Sequence, residues 1–219
     1  MTSASTHRSL AVGVTGGIGS GKSHACRLLE SLGARYLSAD LVARTLLDTD
    51  RALKRSVEKL FGADVYLPDG TLDRKRVAKR IFQEPSLKQS LESLVHPLTL
   101  GAIDKEIDRI SAEGTVRVVV VEAALIFEAR AERMFDYIVV VDAPEEHRIA
   151  RVMERDKVSR ADVVERMESQ LPVQEKIAKA DFVLKNTGDL DAFDRNTRFL
   201  YTLLLSIASM PHVDDETQE

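Results

Sequence analysis

Apolar positions along the chain fall into two patterns. Short unbroken runs mark strands buried on both faces of a parallel sheet, and three- and four-residue spacings mark amphipathic helices. Leu10 to Val14 is the first such run, and it passes through a glycine-dense turn into a helical stretch, Ala25 to Leu32, with Gly33 as C-cap. Ala34 to Leu37 predicts a short second strand, followed by helices from Leu41 to Leu47 and from about Arg51 to Phe61. Gly62, Pro68 and Gly70 supply turn chemistry. Leu72-Asp73-Arg74 then leads into a helix ending near Phe82, and Glu84-Pro85-Ser86 opens another carrying Leu87, Leu91, Leu94 and Val95 at helical spacing. No alternation is found here, so the block predicts a helical lobe inserted between two parts of the sheet, with His96-Pro97 interrupting its last helix.

Val116 to Val121, broken only by Arg117 and followed by Glu122, predicts a third buried strand, and Ile138 to Val141 a fourth ending at Asp142-Ala-Pro144. The helix after Pro144 carries Arg148, Arg151 and Arg155 on one face and Ile149 and Met153 along another. Arg160 and Arg166 continue the basic density, with Ser159 as cap of the next helix. Ala180 to Leu184 predicts the last strand, and a final helix runs from about Leu190 to Ser209. The acidic segment 211–219 is expected to be a disordered tail. No internal repeat interrupts this succession, which predicts an α/β fold with a parallel sheet.

The turn after the first strand carries the chemistry. Gly16, four residues, then Gly21-Lys22-Ser23 is the spacing of a phosphate-binding loop, and the strand before it and the helix after it supply the required context. Glycines at 16, 17, 19 and 21 permit unusual backbone angles and close approach, so that N–H groups from about Gly19 through Ser20 to His24 can face a polyphosphate at a helix N-terminus. Lys22 adds a point charge for the outer phosphates, and the Ser23 hydroxyl suits a magnesium ion bridging them. Glu122, at the end of a strand, can hold a magnesium-bound water near Ser23 or be an ordinary strand-end carboxylate. Asp40 sits just past a strand end, on the ligand-binding edge of an open sheet; Ser38 or Asp40 could equally cap the following helix. The arginine stripe reads either as a solvated face, given Glu145, Glu146, Glu154 and Asp156, or as mobile cations for a transferred phosphoryl group. His96, a lone histidine before proline, reads as a packing or hinge residue before it reads as a catalyst.

At 219 residues and 44% hydrophobic content the chain can bury one good core with small appended lobes. A net charge of −4 argues against coating nucleic acid by bulk electrostatics, while leaving room for a local basic site. The single Cys26 excludes an intrachain disulfide and reads as a packed thiol. Met1 to Arg8 is polar and lacks the form of a signal peptide, and no segment approaches a membrane span, so a reducing cytoplasm is the expected compartment.

An ordered series of motifs now resembles a known family. Thr15-Gly-Gly-Ile-Gly-Ser-Gly-Lys-Ser23, Ala39-Asp40-Leu-Val-Ala-Arg44, Leu72-Asp-Arg74 and Ile81-Phe82 are followed by Leu94-Val-His-Pro97 and Leu125-Ile-Phe-Glu128. Then come Arg151 and Arg155 before Asp156, Gln170, Ala180-Asp181 and Asn186. The series, over about residues 12–188, resembles the dephospho-coenzyme A kinases. The resemblance implies a three-layer P-loop fold like that of the nucleoside monophosphate kinases. Its nucleotide-binding core would comprise 8–60, 96–147 and 177–210, with a helical acceptor lobe at 61–95 and a helical lid at 148–176. It implies ATP and dephospho-coenzyme A as substrates and magnesium as cofactor. ATP would be held by Gly17, Gly19, Ser20, Gly21, Lys22, Ser23, His24 and Asn186, with Ser23 and, through water, Glu122 serving the metal. Asp40 matches the acid facing the acceptor hydroxyl, with Arg44, Arg74 and His96 on the acceptor side and Arg151 and Arg155 as lid arginines.

The chain departs from the family at His24, where threonine is usual, at Ala124 in place of proline, and at Ser38 in place of a first aspartate. A kinase of the same fold with another acceptor remains a rival, because the acceptor lobe carries no self-explanatory pantetheine signal. A nucleotide-driven switch is the rival from another class. It is disfavoured because Asn186-Thr-Gly-Asp189 lacks the lysine of a guanine-binding signature.

Overall fold

The computed structural model describes residues 8–210; the tail reading at 211–219 and residues 1–7 of the leader reading lie outside them. Five strands, β1 (Leu10–Thr15), β2 (Arg35–Ser38), β3 (Val118–Glu122), β4 (Tyr137–Asp142) and β5 (Phe182–Lys185), form one parallel sheet in the order β2-β3-β1-β4-β5. The three central strands are the unbroken apolar runs, and Val119, Val120 and Val121 of β3 are fully buried. A valine run suits this position because both faces of a central parallel strand are covered.

Helices α1 (Lys22–Ser31) and α9 (Leu190–Ile207) cover one face, packing Ala25, Cys26, Leu29, Phe193, Leu200 and Leu204 on Val12, Val14, Val120 and Val139. Cys26 is a buried free thiol, and burial pushes its pKa up. The opposite face is covered by Ile103, Ile107 and Ile110 of α5 (Ser86–Glu113) and by the segment between β3 and β4. Gly13 belongs to that face: a Cβ there would lie 2.8 Å from both Ile126 Cδ1 and Phe135 Cδ2.

The lobe consists of α2 (Ala39–Thr49), α3 (Arg51–Phe61), α4 (Arg74–Gln83) and the first half of α5 around Leu53, Val57, Phe61, Val65, Val77 and Val95. Its apolar cluster therefore begins before residue 61, drawing on Leu47, Leu53 and Val57. The segment expected as a lid, 148–176, falls within α6 (Glu145–Asp156), α7 (Arg160–Glu168) and α8 (Val173–Ala178), with Ser159 and Asp162 forming a capping box.

Two expectations need correction. His96-Pro97 does not interrupt the helix, since α5 runs 28 residues straight through it. Proline removes one helical hydrogen bond, but Pro97 and Ser93, whose carbonyl loses its donor, are both exposed, so water can serve that carbonyl. Val95, Thr99, Ile103, Ile107 and Ile110 stay on the inner face and hold the helix together. On α6 the buried face is Arg148, Ile149 and Val152, whereas Met153 is 36% exposed. Arg148 leaves the expected stripe because the glycine loop itself covers it.

Candidate active site

The carboxyl ends of the strands meet at one edge, where β1 passes into the loop and α1. Gly21 is the N-cap of α1 in the left-handed region at φ 105°, and Gly19 follows suit at φ 77°. A Cβ on Gly19 would stand 2.5 Å from the Arg148 carbonyl oxygen, so glycine is required there for space as well as conformation. The N–H groups of Gly19, Gly21, Lys22 and Ser23 find no acceptor among the described residues. Unpartnered amides at a helix N-terminus, with no acidic residue in its first turn, make a site for a polyanion.

Lys22 is 8% exposed, and its ammonium donates to the carbonyls of Gly16 and Gly17, each at 3.0 Å. Burial lowers its pKa from 10.5 to about 8, against the pull of Glu122 and Asp40. Ser23 Oγ donates to Glu122 Oε1 at 2.6 Å, and the Tyr36 hydroxyl on β2 donates to Glu122 Oε2. The loop and β3 thus converge on one carboxylate. These oxygens fit a magnesium ion, which takes one or two protein ligands and completes its shell with phosphate and water. Among the described residues no group of three or more His, Cys, Asp or Glu offers a dedicated metal cage.

Asn186, buried at the end of β5, donates to the Ser20 carbonyl at 2.9 Å and accepts from Arg151 at 3.2 Å. Arg151 also donates to the Gly19 carbonyl at 3.3 Å, so this arginine lies against the loop. Arg155 instead pairs with Asp156 at 2.7 Å and is 62% exposed in its side chain, although Asp40 and Glu122 are close enough to act on its charge. His24 Nε2 pairs with Asp194 of α9 at 2.6 Å.

Among the residues expected on the acceptor side, Ser38 caps α2 by accepting from the Leu41 N–H at 3.4 Å, leaving Asp40 exposed in the first turn. Asp40, Arg44 and Asp48 follow at four-residue steps along one face of α2, and Arg74 joins that line through Asp48 at 3.3 Å. His96 is half-buried on α5, the helix packed along α2. Two polar groups here escaped the sequence reading, Tyr36 and Lys176, and so did the burial of Arg148, which in the sequence is only one member of the arginine stripe. The Lys176 ammonium is fully buried, 2.7 Å from Glu128 Oε1 and 2.9 Å from the Ala124 carbonyl. Its basic residue type alone points to a surface; only the later position of Glu128 and Ala124 beneath it shows otherwise.

A parallel sheet with a glycine cradle between β1 and α1, an acidic strand end beside the loop serine and an arginine-bearing helix against the loop defines a P-loop kinase. Residues 10–192 match the model of the family described as Dephospho-CoA kinase. The chain belongs to the dephospho-CoA kinase family. It is 39% identical over 202 residues to the Dephospho-CoA kinase of Chlorobaculum tepidum, covering 90% of this chain and 96% of that one. It is 41% identical over 190 residues to that of Salinibacter ruber, covering 87% and 95%. Among solved structures, the Dephospho-CoA kinase from Campylobacter jejuni superimposes with a TM-score of 0.64 at 28% identity, over 90% of this chain and 98% of that one. A shikimate kinase from Acinetobacter baumannii, 16% identical, shares the fold with a TM-score of 0.51 over 93% of this chain and 97% of that one.

Proposed function

We propose that this protein transfers the γ-phosphoryl group of ATP to the ribose 3′-hydroxyl of dephospho-coenzyme A, giving coenzyme A and ADP. The observation that carries this reading is the free-amide cradle around Lys22 in a chain whose residues 10–192 match the dephospho-CoA kinase family, with Asp40 exposed in the first turn of α2, just past the carboxyl end of the neighbouring β2. The loop amides and Lys22 hold the triphosphate, with Asn186 bracing the loop behind. Asp40 orients the hydroxyl and takes its proton as the new O–P bond forms and the bond to ADP breaks. Arg151 and Arg155 neutralise charge on the group in transfer and help exclude water. Magnesium, when bound, neutralises the triphosphate, and Ser23 with Glu122 is the pair that fits it. The acceptor's own anionic groups are assigned to Arg44 and Arg74, with His96 beside them. The reaction belongs in the cytoplasm; among the described residues no helix is long and apolar enough to cross a membrane.

Measuring ADP release from ATP with and without dephospho-coenzyme A tests the reading. Release that depends on this acceptor supports it, whereas equal release without it, or a preference for another alcohol, overturns it.

The state of Lys22 gives a pH prediction. Its folded-state pKa of about 8 lies below the ordinary 10.5. Phosphate oxygens favour the ammonium, so binding takes up a proton once the pH passes about 8, and affinity falls on the alkaline side. ADP binding followed by calorimetry should weaken about tenfold between about pH 7 and pH 9. A flat profile would place the ammonium away from the phosphates.

Tyr36→Phe removes one of the two hydroxyls that orient Glu122. Loss of an outer partner of this kind costs about 10- to 100-fold in metal affinity or activity, so half-maximal turnover should need about tenfold more magnesium. An unchanged magnesium dependence would detach Glu122 from the metal.

A further inference from the structure

The lid reaches the loop through a residue with no assigned role. Gln170, just beyond α7, accepts through Oε1 from the Ile18 N–H at 3.0 Å. That N–H belongs to the same peptide unit as the Gly17 carbonyl, which accepts from Lys22 Nζ at 3.0 Å and from the Ser20 N–H at 3.2 Å. A trans peptide is planar, with its N–H and C=O pointing to opposite sides, so fixing one end fixes the other.

We infer that Gln170 is a positioning residue that acts on Lys22 through the Gly17–Ile18 peptide plane. The inference rests on the phosphoryl-transfer reading. Turning this plane over would present the Ile18 N–H to an ammonium, donor against donor, and would leave the Gln170 carbonyl without its donor. Gly17 supplies no side chain of its own to resist the turn; a Cβ there would sit 2.2 Å from Arg148 Nη1, so the position is already filled by the lid arginine. The Ile18 side chain is gripped by the same region, packing on the cluster of Ile149, Val152 and Val163 from α6 and α7. The first half of the loop is therefore held from the lid, and among the described residues Gln170 is the one side chain of that region bonded to the plane that carries one of the lysine's two acceptors. What Gln170 must provide is an acceptor oxygen. Glutamate can supply one and leucine cannot.

Amide exchange, ADP binding, steady-state kinetics and thermal melting of Gln170→Leu and Gln170→Glu test this. In the leucine variant the Ile18 amide should exchange with solvent deuterium at least about tenfold faster, ADP affinity should fall about 3- to 10-fold, and kcat about 5- to 50-fold. The KM for dephospho-coenzyme A should stay within about twofold and the melting temperature within about 3 °C. Gln170→Glu should restore kcat and Ile18 protection to within about threefold of the original. The inference is overturned if glutamate is as poor as leucine, if kcat holds while Ile18 protection is lost, or if the loss merely tracks the melting temperature. A wild-type protein that binds ADP but does not phosphorylate dephospho-coenzyme A would overturn the acceptor reading alone, since Ile18 exchange and ADP affinity still report on the plane.

Discussion

Asp40→Asn is expected to lower kcat about 10²- to 10⁴-fold, with ADP affinity unchanged within about twofold. The substitution keeps shape and volume but removes the proton acceptor. The fold should tolerate it, because Ser38 caps α2 and Asp40 is exposed in the first turn. The stability lost is the interaction of one carboxylate with a helix N-terminus, about 0.3 to 1 kcal/mol. ADP binding should be unaffected, because on the proposed reading the cradle amides and Lys22 carry it. Steady-state rates at saturating acceptor together with calorimetric ADP binding separate the two effects. Turnover within a few-fold of the original would mean that another group receives the proton, and a parallel loss of ADP affinity would mean that Asp40 serves the lysine instead of the alcohol.

The second large effect concerns stability. Lys176→Met should destabilise the fold by about 3–5 kcal/mol, lowering the melting temperature by roughly 6–20 °C. The Lys176 ammonium has no contact with solvent, and it bonds Glu128 and the Ala124 carbonyl. Glu128 also accepts from the Leu171 N–H, while its second oxygen, Oε2, is buried with no partner among the described residues. Taking away the cation leaves a carboxylate in a poorly solvated place. Lys176→Met combined with Glu128→Leu removes both charges and should recover most of the loss, since an apolar pair of similar volume often matches a buried ion pair. A single variant that melts within about 2 °C of the original would show that water reaches this pair readily.

What could be read from the residues alone follows from the range of the forces involved. The glycine loop, the valine run of β3 and the Ser159 cap are each fixed by neighbours a few positions away, and all three were legible. So was the choice between two readings of Ser38-Ala-Asp40, but only as a choice; the backbone had to be seen before Ser38 emerged as the cap. Pro97 misled because a local rule about proline competes with packing from two distant clusters, and the packing won. Arg148 and Lys176 were illegible for a related reason. Nothing near them in sequence announces that Gly17 will lie over one and Ala124 over the other. The convergence of Ser23, Tyr36 and Glu122 was half legible: serine and glutamate belong to recognisable strand and loop ends, whereas nothing in the short second strand singles out its tyrosine.

The unbroken course of α5 sets which part of the machine can move. One rod runs from the apolar cluster of the helical lobe to the cluster beneath the sheet, and bending it at Pro97 would pry one of the two apart. The lobe is therefore bolted to the chassis. On the proposed reading, shape change during a catalytic cycle falls to α6–α8, so stiffening α5 further should leave turnover alone while stiffening α6–α8 should slow product escape.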